Sequence, residues 1–153
     1  MRRATWGVAG LLALGLTVTA CPGRAPLPVA GALAPCPRSP NCVSSQADPA
    51  DPVHYVAPLA LVGDPDTAAQ RVADAAQRVD GAGEWRIDGD HVRIVFHTPS
   101  GLFTDDVDLL VDRPDAVIQV RSSSRIGYGD MGVNRGRIEA IRAQWAATTP
   151  EPE

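Results

Sequence analysis

The chain has 153 residues and a formal net charge of −4, and all 14 of its basic residues are arginines. A chain of this length supports one domain with a modest core, which must rely on aliphatic side chains because only 5% of the residues are aromatic. The acidic balance argues against a nucleic-acid binder, since such proteins usually carry a basic face on a basic background.

The first 20 residues have the pattern of an export signal. An arginine pair is followed by an uncharged apolar stretch from Trp6 to Ala20, which has the length of a signal peptide and is short for a membrane span. The segment Val18–Cys21 resembles the lipobox of bacterial lipoproteins, and this resemblance implies cleavage before Cys21 and attachment of lipid to it. An unlipidated signal peptide and an uncleaved anchor are the alternatives. We therefore predict a signal peptide at 1–20 and a protein lipid-anchored to the cell envelope, on its periplasmic or extracellular side.

The segment after the signal is rich in Pro, Gly and Ala and has no periodicity, so residues 21–34 are predicted to be a flexible tether. A single domain is predicted at 35–147, followed by a disordered tail at 148–153. Near the start of this domain, two cysteines of an exported protein favour a Cys36–Cys42 disulfide that closes a small loop. Free thiols are the first alternative, and a metal site is the second, although two cysteines are too few ligands.

One helix is predicted before the sheet and one after it. Asp64 and Pro65 favour a helix start, small apolar residues recur at helical spacing through Arg78, and Gly81 favours a helix end. After a glycine-rich loop, Asn134 is predicted to cap a second helix that carries an apolar stripe.

Two β-hairpins are predicted between these helices. Alternating apolar and polar residues indicate strands at Glu84–Asp88 and His91–Thr98, and again at Asp106–Asp112 and Ala116–Ser123. The order helix, two hairpins, helix indicates an α+β fold with a small antiparallel sheet of about four strands, flanked by an N-terminal and a C-terminal helix on one face.

The second hairpin has a predicted register. Its apolar residues must share one face, because a slip of one residue would move all of them to the other face. With a two-residue turn at Pro114–Asp115, Asp108 lies opposite Arg121 and Asp106 lies opposite Ser123. Acidic and basic side chains are therefore expected to meet on the polar face.

Five arginines at 121–142 are brought by this hairpin beside the aspartates at 105–115. Arginine binds carboxylates and phosphates with paired hydrogen bonds, and the start of the second helix adds a positive dipole end. Either the aspartates already satisfy the arginines in a structural network, or the cluster binds an anionic small molecule or a lipid head group. The candidate residues are Arg121, Ser123, Arg125, Arg135, Arg137, Asp105, Asp106, Asp108, Asp130 and Asn134.

Three segments in this order resemble the domain of unknown function family 1499: Cys36–Ser45, Asp105–Asp108 and Arg121–Arg135. The resemblance covers nearly all of the predicted domain. It implies a small extracytoplasmic or envelope-associated domain, and it supplies no established activity, substrate or cofactor. The chain departs from the usual pattern at Asp108, where Glu is usual, and at Ser123, where Ala is usual.

No catalytic motif emerges from the residues. Asp105 and Asp106 are neighbours on a strand and must point to opposite faces, so they cannot act together on one substrate atom. We therefore predict a non-catalytic accessory or interaction domain, without cofactor or metal, whose partner is the membrane through its lipid and an envelope protein or anionic ligand. An uncharacterised hydrolase is the remaining alternative, and a histidine beside Ser123, Ser124 or Asp106 would favour it.

Overall fold

A computed structural model describes residues 31–98 and 100–148. The predicted signal peptide, Cys21, most of the tether and nearly all of the tail lie outside these residues. Within them, no helix is long and apolar enough to cross a membrane. The strands are β1 (Cys42–Ser44), β2 (Leu59–Ala60), β3 (Ala82–Asp88), β4 (His91–His97), β5 (Thr104–Asp112) and β6 (Val117–Ser124), and the helices are α1 (Ala68–Ala76) and α2 (Val133–Ala147).

The strands form one antiparallel sheet in the order β1-β6-β5-β4-β3, and β2 also pairs with β6. The predicted α+β class is confirmed, and the sheet has six strands where about four were expected. The two additional strands contain three and two residues, which is too short for an alternating pattern to be visible. β2 is held in place by α2, because Trp145 Nε1 donates a hydrogen bond to the carbonyl of Ala60 at 2.9 Å.

The predicted register of the second hairpin is confirmed. Asp108 pairs with Arg121 and Asp106 pairs with Ser123. The connecting turn is closed by a hydrogen bond from the amide of Ala116 to the carbonyl of Arg113 at 3.3 Å. Because the register holds, β5 and β6 each have one apolar face and one polar face.

The helices cover the apolar face of the sheet. α1 contributes mostly alanines to the core, so it can pack close to the strands, whereas α2 contributes larger side chains. The interior between them is mostly aliphatic and includes two aromatic side chains, Phe96 and Trp145. Its members include Val72, Val92, Ile94, Phe96, Val107, Leu109, Val111, Ile118, Val120, Ile138, Ile141 and Trp145.

The first helix begins later than the sequence predicts. Asp64 and Pro65 lie in the preceding turn, where the Asp64 carboxylate accepts a hydrogen bond from the amide of Asp66 at 3.0 Å. Thr67 is the N-cap, and the regular helix ends at Ala76. The Asp-Pro pair therefore starts a turn that leads into the helix rather than the helix itself.

The predicted cap of the second helix is wrong. Gly132 is the N-cap of α2, with a φ of 82°, and Asn134 lies inside the first turn. The carboxylate of Asp130 accepts hydrogen bonds from the amides of Gly132 at 3.0 Å and Asn134 at 2.8 Å. Asp130, rather than Asn134, therefore accepts the hydrogen bonds of the free amides at the start of α2. The Asn134 side chain is not needed as a cap and points into the domain.

The chain just before the first cysteine also contacts the domain. Leu33 is buried, and its amide donates a hydrogen bond to Gln46 Oε1 at 2.7 Å. The Gln46 side chain in turn donates to the carbonyl of Gly31 at 3.2 Å. A soluble version of the domain should therefore start before Gly31 to keep these contacts.

Candidate functional site

The Cys36–Cys42 disulfide forms, with 5.6 Å between the two Cα atoms. The loop that it closes carries Asn41, which is buried although it is polar. The side-chain amide of Asn41 donates a hydrogen bond to the carbonyl of Gly127 at 2.7 Å. This hydrogen bond joins the Cys36–Ser45 segment to the glycine-rich loop of the Arg121–Arg135 segment.

A buried polar cluster lies beneath the start of α2, and Asn134 is its centre. Asn134 Oδ1 accepts hydrogen bonds from Ser122 Oγ at 2.6 Å and from Arg137 Nη1 at 2.8 Å. Asn134 Nδ2 is within donor distance of three acceptors: the carbonyl of Asn41 at 3.0 Å, Ser124 Oγ at 2.9 Å and Asp130 Oδ2 at 2.8 Å. We call this group the Asn134 cluster, and its members are Asn41, Asp105, Ser122, Ser124, Asp130, Asn134 and Arg137.

Arg137 connects the Asn134 cluster to strand β5. Its Nη2 donates to Asp105 Oδ2 at 2.6 Å, and its Nη1 donates to Ser122 Oγ at 3.0 Å. Its guanidinium also lies over the ring of Phe96, 4.9 Å from the centroid, which adds a cation–π contact. Arg137 and Asp105 are both buried, so each charge depends on the other.

One carboxylate oxygen of Asp105 lacks a hydrogen bond. Its Oδ1 is buried and has no hydrogen-bond partner within the described part of the chain. A buried acceptor without a partner is uncommon, because the lost hydration is not replaced.

Asp130 supplies a negative charge at the N-terminus of α2. Burial raises the pKa of this carboxyl, but hydrogen bonds from the backbone amides of Asn134 and Gly132 outweigh the burial and bring the pKa below its ordinary value. The carboxylate is therefore charged at neutral pH. The positive end of the helix, which was one part of the alternative anion site, already has an anion from the chain itself.

A second polar group lies on the opposite face of the sheet, centred on Asp108. Asp108 Oδ1 accepts hydrogen bonds from Arg93 Nε at 2.7 Å and from His91 Nε2 at 2.9 Å. Burial raises the pKa of Asp108, but the bonds from His91 and Arg93 outweigh it, so the net shift is downward. We call this group the polar-face network, and its members are His91, Arg93, Asp106, Asp108, Arg121 and Arg125.

Within the polar-face network, Arg125 has a well-matched partner and Arg121 does not. Arg125 binds Asp106 with two hydrogen bonds, of 3.0 and 2.8 Å. Arg121 is 4% exposed, and its nearest carboxylate oxygen is Asp108 Oδ2, 3.7 Å from Nη1. Its Nε and Nη1 are buried and lack hydrogen-bond partners among the described residues. Burial lowers the pKa of Arg121 and outweighs the attraction of Asp108, which raises it.

The predicted site residues thus separate onto two faces. The hairpin brings Asp106 and Asp108 near Arg121 and Arg125, as the register predicts. Arg135 belongs to neither group, because its partly buried side chain donates to backbone carbonyls of the Pro52–Val53 segment. The helix-side group contains Asp105, Asp130, Asn134 and Arg137, and the opposite face holds Asp106, Asp108, Arg121, Ser123 and Arg125.

Sequence reasoning missed His91 and Arg93 as members of the site. Both alternate with core residues on β4, and Arg93 pairs directly with Asp108 across the sheet. A register prediction for β4 against β5, of the kind made for the second hairpin, would have placed Arg93 there.

Among the described residues, neither His54 nor His91 is hydrogen-bonded to Ser123, Ser124 or Asp106. His91 binds Asp108, and His54 Nδ1 lies 2.7 Å from Asp51 Oδ2. Ser123 Oγ donates a long hydrogen bond, of 3.5 Å, to the carbonyl of Ser124. Across residues 31–98 and 100–148, no group of three or more His, Cys, Asp or Glu residues is placed to hold a metal ion.

The comparisons with known proteins agree with the motifs. The model of a family described as a protein of unknown function, DUF1499, matches residues 32–145. The chain belongs to the DUF1499 family. A search of curated proteins and a search of solved structures each found no match. The disulfide, the Asn134 cluster and the polar-face network all lie inside the region that defines the DUF1499 domain.

Two loops of the DUF1499 domain expose large apolar side chains. One joins β4 to β5, and the other joins β6 to α2. Tyr128 is 77% exposed and Met131 is fully exposed. Residues of both loops line one pocket of about 160 Å³, so the loops lie side by side. We call this region the two-loop surface, and its apolar members are Leu102, Phe103, Ile126, Tyr128 and Met131 of the loops and Val133 at the start of α2.

The DUF1499 domain also contains a histidine whose charge should depend on one aspartate. The hydrogen bond to Asp51 is the main cause of a pKa of His54 above its ordinary 6.5. A raised folded-state pKa adds stability that is complete below the unfolded value and is lost as the pH rises through the folded value. We expect an NMR titration to place the His54 midpoint above 6.5 and Asp51→Asn to lower it. Asp48→Asn, in the same loop, is the control and should leave the midpoint unchanged; equal effects of the two variants would contradict this interpretation.

Proposed function

We propose that this DUF1499 domain is a non-catalytic interaction domain, held at the cell envelope by lipid on Cys21, and that its two-loop surface contacts a partner protein. The observation that carries the proposal is the exposure of six large apolar side chains, five on two adjacent loops and one at the start of α2. Contiguous apolar patches are costly in water and usually mark contact sites. The tether is supported by the resemblance of Val18–Cys21 to a lipobox.

The base of the two-loop surface is firmly held, which supports a binding role. The carbonyl of Gly127 accepts a hydrogen bond from Asn41, and Asp130 is bonded to two amides at the start of α2. A surface that is already ordered loses less conformational freedom when it binds. The members of the Asn134 cluster that do not line the pocket therefore support the surface from below: Asn41, Ser122, Asn134 and Arg137.

The pairing of charges supports a structural role for most of the motif arginines. Arg125 and Arg137 each bind an aspartate of β5, and Arg135 binds backbone carbonyls. The charges of Arg125 and Arg137 are already balanced by these aspartates, so the two side chains attract an external anion less than unpaired guanidinium groups would. This favours the interaction domain over an arginine-based anion site at these two positions.

Site-specific photocrosslinking in cells that make the full-length protein tests the proposal. A photoreactive residue at Tyr128 or Met131 should form a discrete adduct in the membrane fraction, whereas one at Val53, which is 47% exposed, should not. Cys21→Ala should move the protein to the soluble fraction. Equal adducts at Val53 and Tyr128 would refute the contact surface, and a Cys21→Ala protein that stays at the membrane would refute the lipid tether.

Binding of an anionic small molecule or lipid head group is the second candidate function, and Arg121 is the residue that favours it. Its Nε and Nη1 have no hydrogen-bond partners among the described residues. A phosphate or carboxylate that binds there should raise the thermal unfolding midpoint, because it binds only the folded state. The rise should disappear in Arg121→Gln and persist in Arg135→Gln. If neither phosphate, carboxylates nor lipid head groups raise the midpoint, this candidate is wrong.

A further inference from the structure

We propose that the pocket within the two-loop surface binds a small apolar ammonium ion, that is, a protonated primary amine on a branched or aromatic hydrocarbon. The inference deepens the proposed function, because it assigns a ligand chemistry to one part of that surface. It depends on the pocket and on Asp105, and it does not depend on the lipid tether.

The walls of the pocket set the shape and size of the ligand. Phe103, Ile126, Met131 and Val133 give it an apolar lining. Its volume of about 160 Å³ is well below the roughly 300–1,000 Å³ that is usual for sites of drug-sized ligands. The pocket therefore accepts one compact hydrocarbon group and excludes large ligands.

Asp105 is a buried polar residue in the wall of this apolar pocket. It is 2% exposed and is among the residues that line the pocket. Arg137 occupies its Oδ2, while its Oδ1 has no partner among the described residues. A ligand N–H that donates to Oδ1 would satisfy this buried acceptor and gain from the exclusion of water around it.

The charges around the pocket favour a cation over a neutral donor or an anion. The charged residues that line it are two carboxylates, Asp105 and Asp130. Arg137 is paired with Asp105 and is not part of the lining. Ser124 and Thr98 also line the pocket and place further oxygens near a bound ammonium group. An apolar body with a positively charged donor matches this combination, whereas a carboxylate would meet like charge.

Three ligands of the same shape separate these contributions. Isopentylamine, isopentanol and isovalerate are titrated into the full-length protein at neutral pH, with the methyl signals of Ile126 and Val133 followed by NMR. Isopentylamine should shift both signals and bind about tenfold or more tightly than isopentanol, because a hydrogen bond between charged groups is stronger than a neutral one. Isovalerate should bind most weakly. Equal affinity for the amine and the alcohol, or a preference for isovalerate, would overturn the inference.

Two variants locate the binding. Asp105→Asn should reduce affinity for isopentylamine about tenfold and change affinity for isopentanol little. Because this substitution also removes the partner of Arg137, Val133→Phe provides a second variant that fills the pocket and leaves the ion pair in place. Val53→Phe, an equal change at a similarly exposed valine outside the pocket, should bind as the wild type does. If the two Val→Phe variants bind the amine alike, or if isopentylamine does not bind at millimolar concentration, the assigned chemistry is wrong, whatever the crosslinking finds.

Discussion

Replacing Asn134 with alanine is expected to lower the free energy of unfolding by about 3–4 kcal/mol, a large effect for a single polar side chain. Asn134 is fully buried, and its Oδ1 accepts from Ser122 and Arg137. Alanine would leave both donors without this acceptor and would create a cavity beneath α2. Urea unfolding followed by circular dichroism measures the change.

The neighbouring residue on the same helix provides the control. Arg135→Ala removes a long side chain that donates only to exposed backbone carbonyls, so it should cost less than about 1 kcal/mol. Asn134→Asp keeps the two acceptor contacts but loses the amide donors and adds a charge beside Asp130. It should therefore also destabilise the domain strongly. If Asn134→Ala cost no more than Arg135→Ala, the Asn134 cluster would not be a structural centre.

Replacing Asp108 with asparagine is the second substitution for which we expect a large effect, about 3–5 kcal/mol at neutral pH. The carboxylate accepts hydrogen bonds from His91 and Arg93, and it is the nearest negative charge to Arg121. These neighbours are buried, so the loss of the carboxylate leaves positive charge in a poorly hydrated place. Chemical unfolding at pH 7 measures the loss, with Asp112→Asn on the same strand as the control.

The pH dependence of this difference has a definite sign. The pKa of Asp108 is below its ordinary 3.8 in the folded protein. Its contribution is therefore fully present above 3.8 and is lost as the pH falls through the folded-state pKa. The gap in stability between the wild type and Asp108→Asn should narrow under strongly acidic conditions. A gap that stays constant from neutral pH to such conditions would mean that the charge of Asp108 contributes nothing.

Local patterns were sufficient to predict much of the sheet. The alternation of apolar residues locates β4, β5 and β6 to within two residues, and the shared apolar face together with a short turn at Pro114–Asp115 fixes the pairing of Asp108 with Arg121. The pairing of β1 and β2 with β6 depends instead on contacts that are distant in sequence. Cys42 meets Ser123, and Leu59 meets Ile118, and neither short segment carries a periodic signal of its own.

The candidate site was predictable only where both partners lie in one hairpin. The contact of Arg137 with Asp105 depends on how α2 crosses the sheet, which no local pattern specifies. Asn134 was taken for a helix cap because Asn before an apolar stripe has the same sequence signature whether it caps the helix or turns inward. The carboxylate of the nearby Asp130 accepts the hydrogen bonds of the free amides, so Asn134 does not cap the helix.

The outer strand of the sheet has a consequence for self-association. β3 is the last strand in the described order, and it carries exposed Glu84, Arg86 and Asp88 together with a break in register between Ala82 and Trp85. Charged side chains and an irregular backbone make such an edge a poor template for a further strand. If copies are crowded in the plane of a membrane, this edge protects them from joining into a continuous sheet, so the domain can be abundant at a surface without aggregating there.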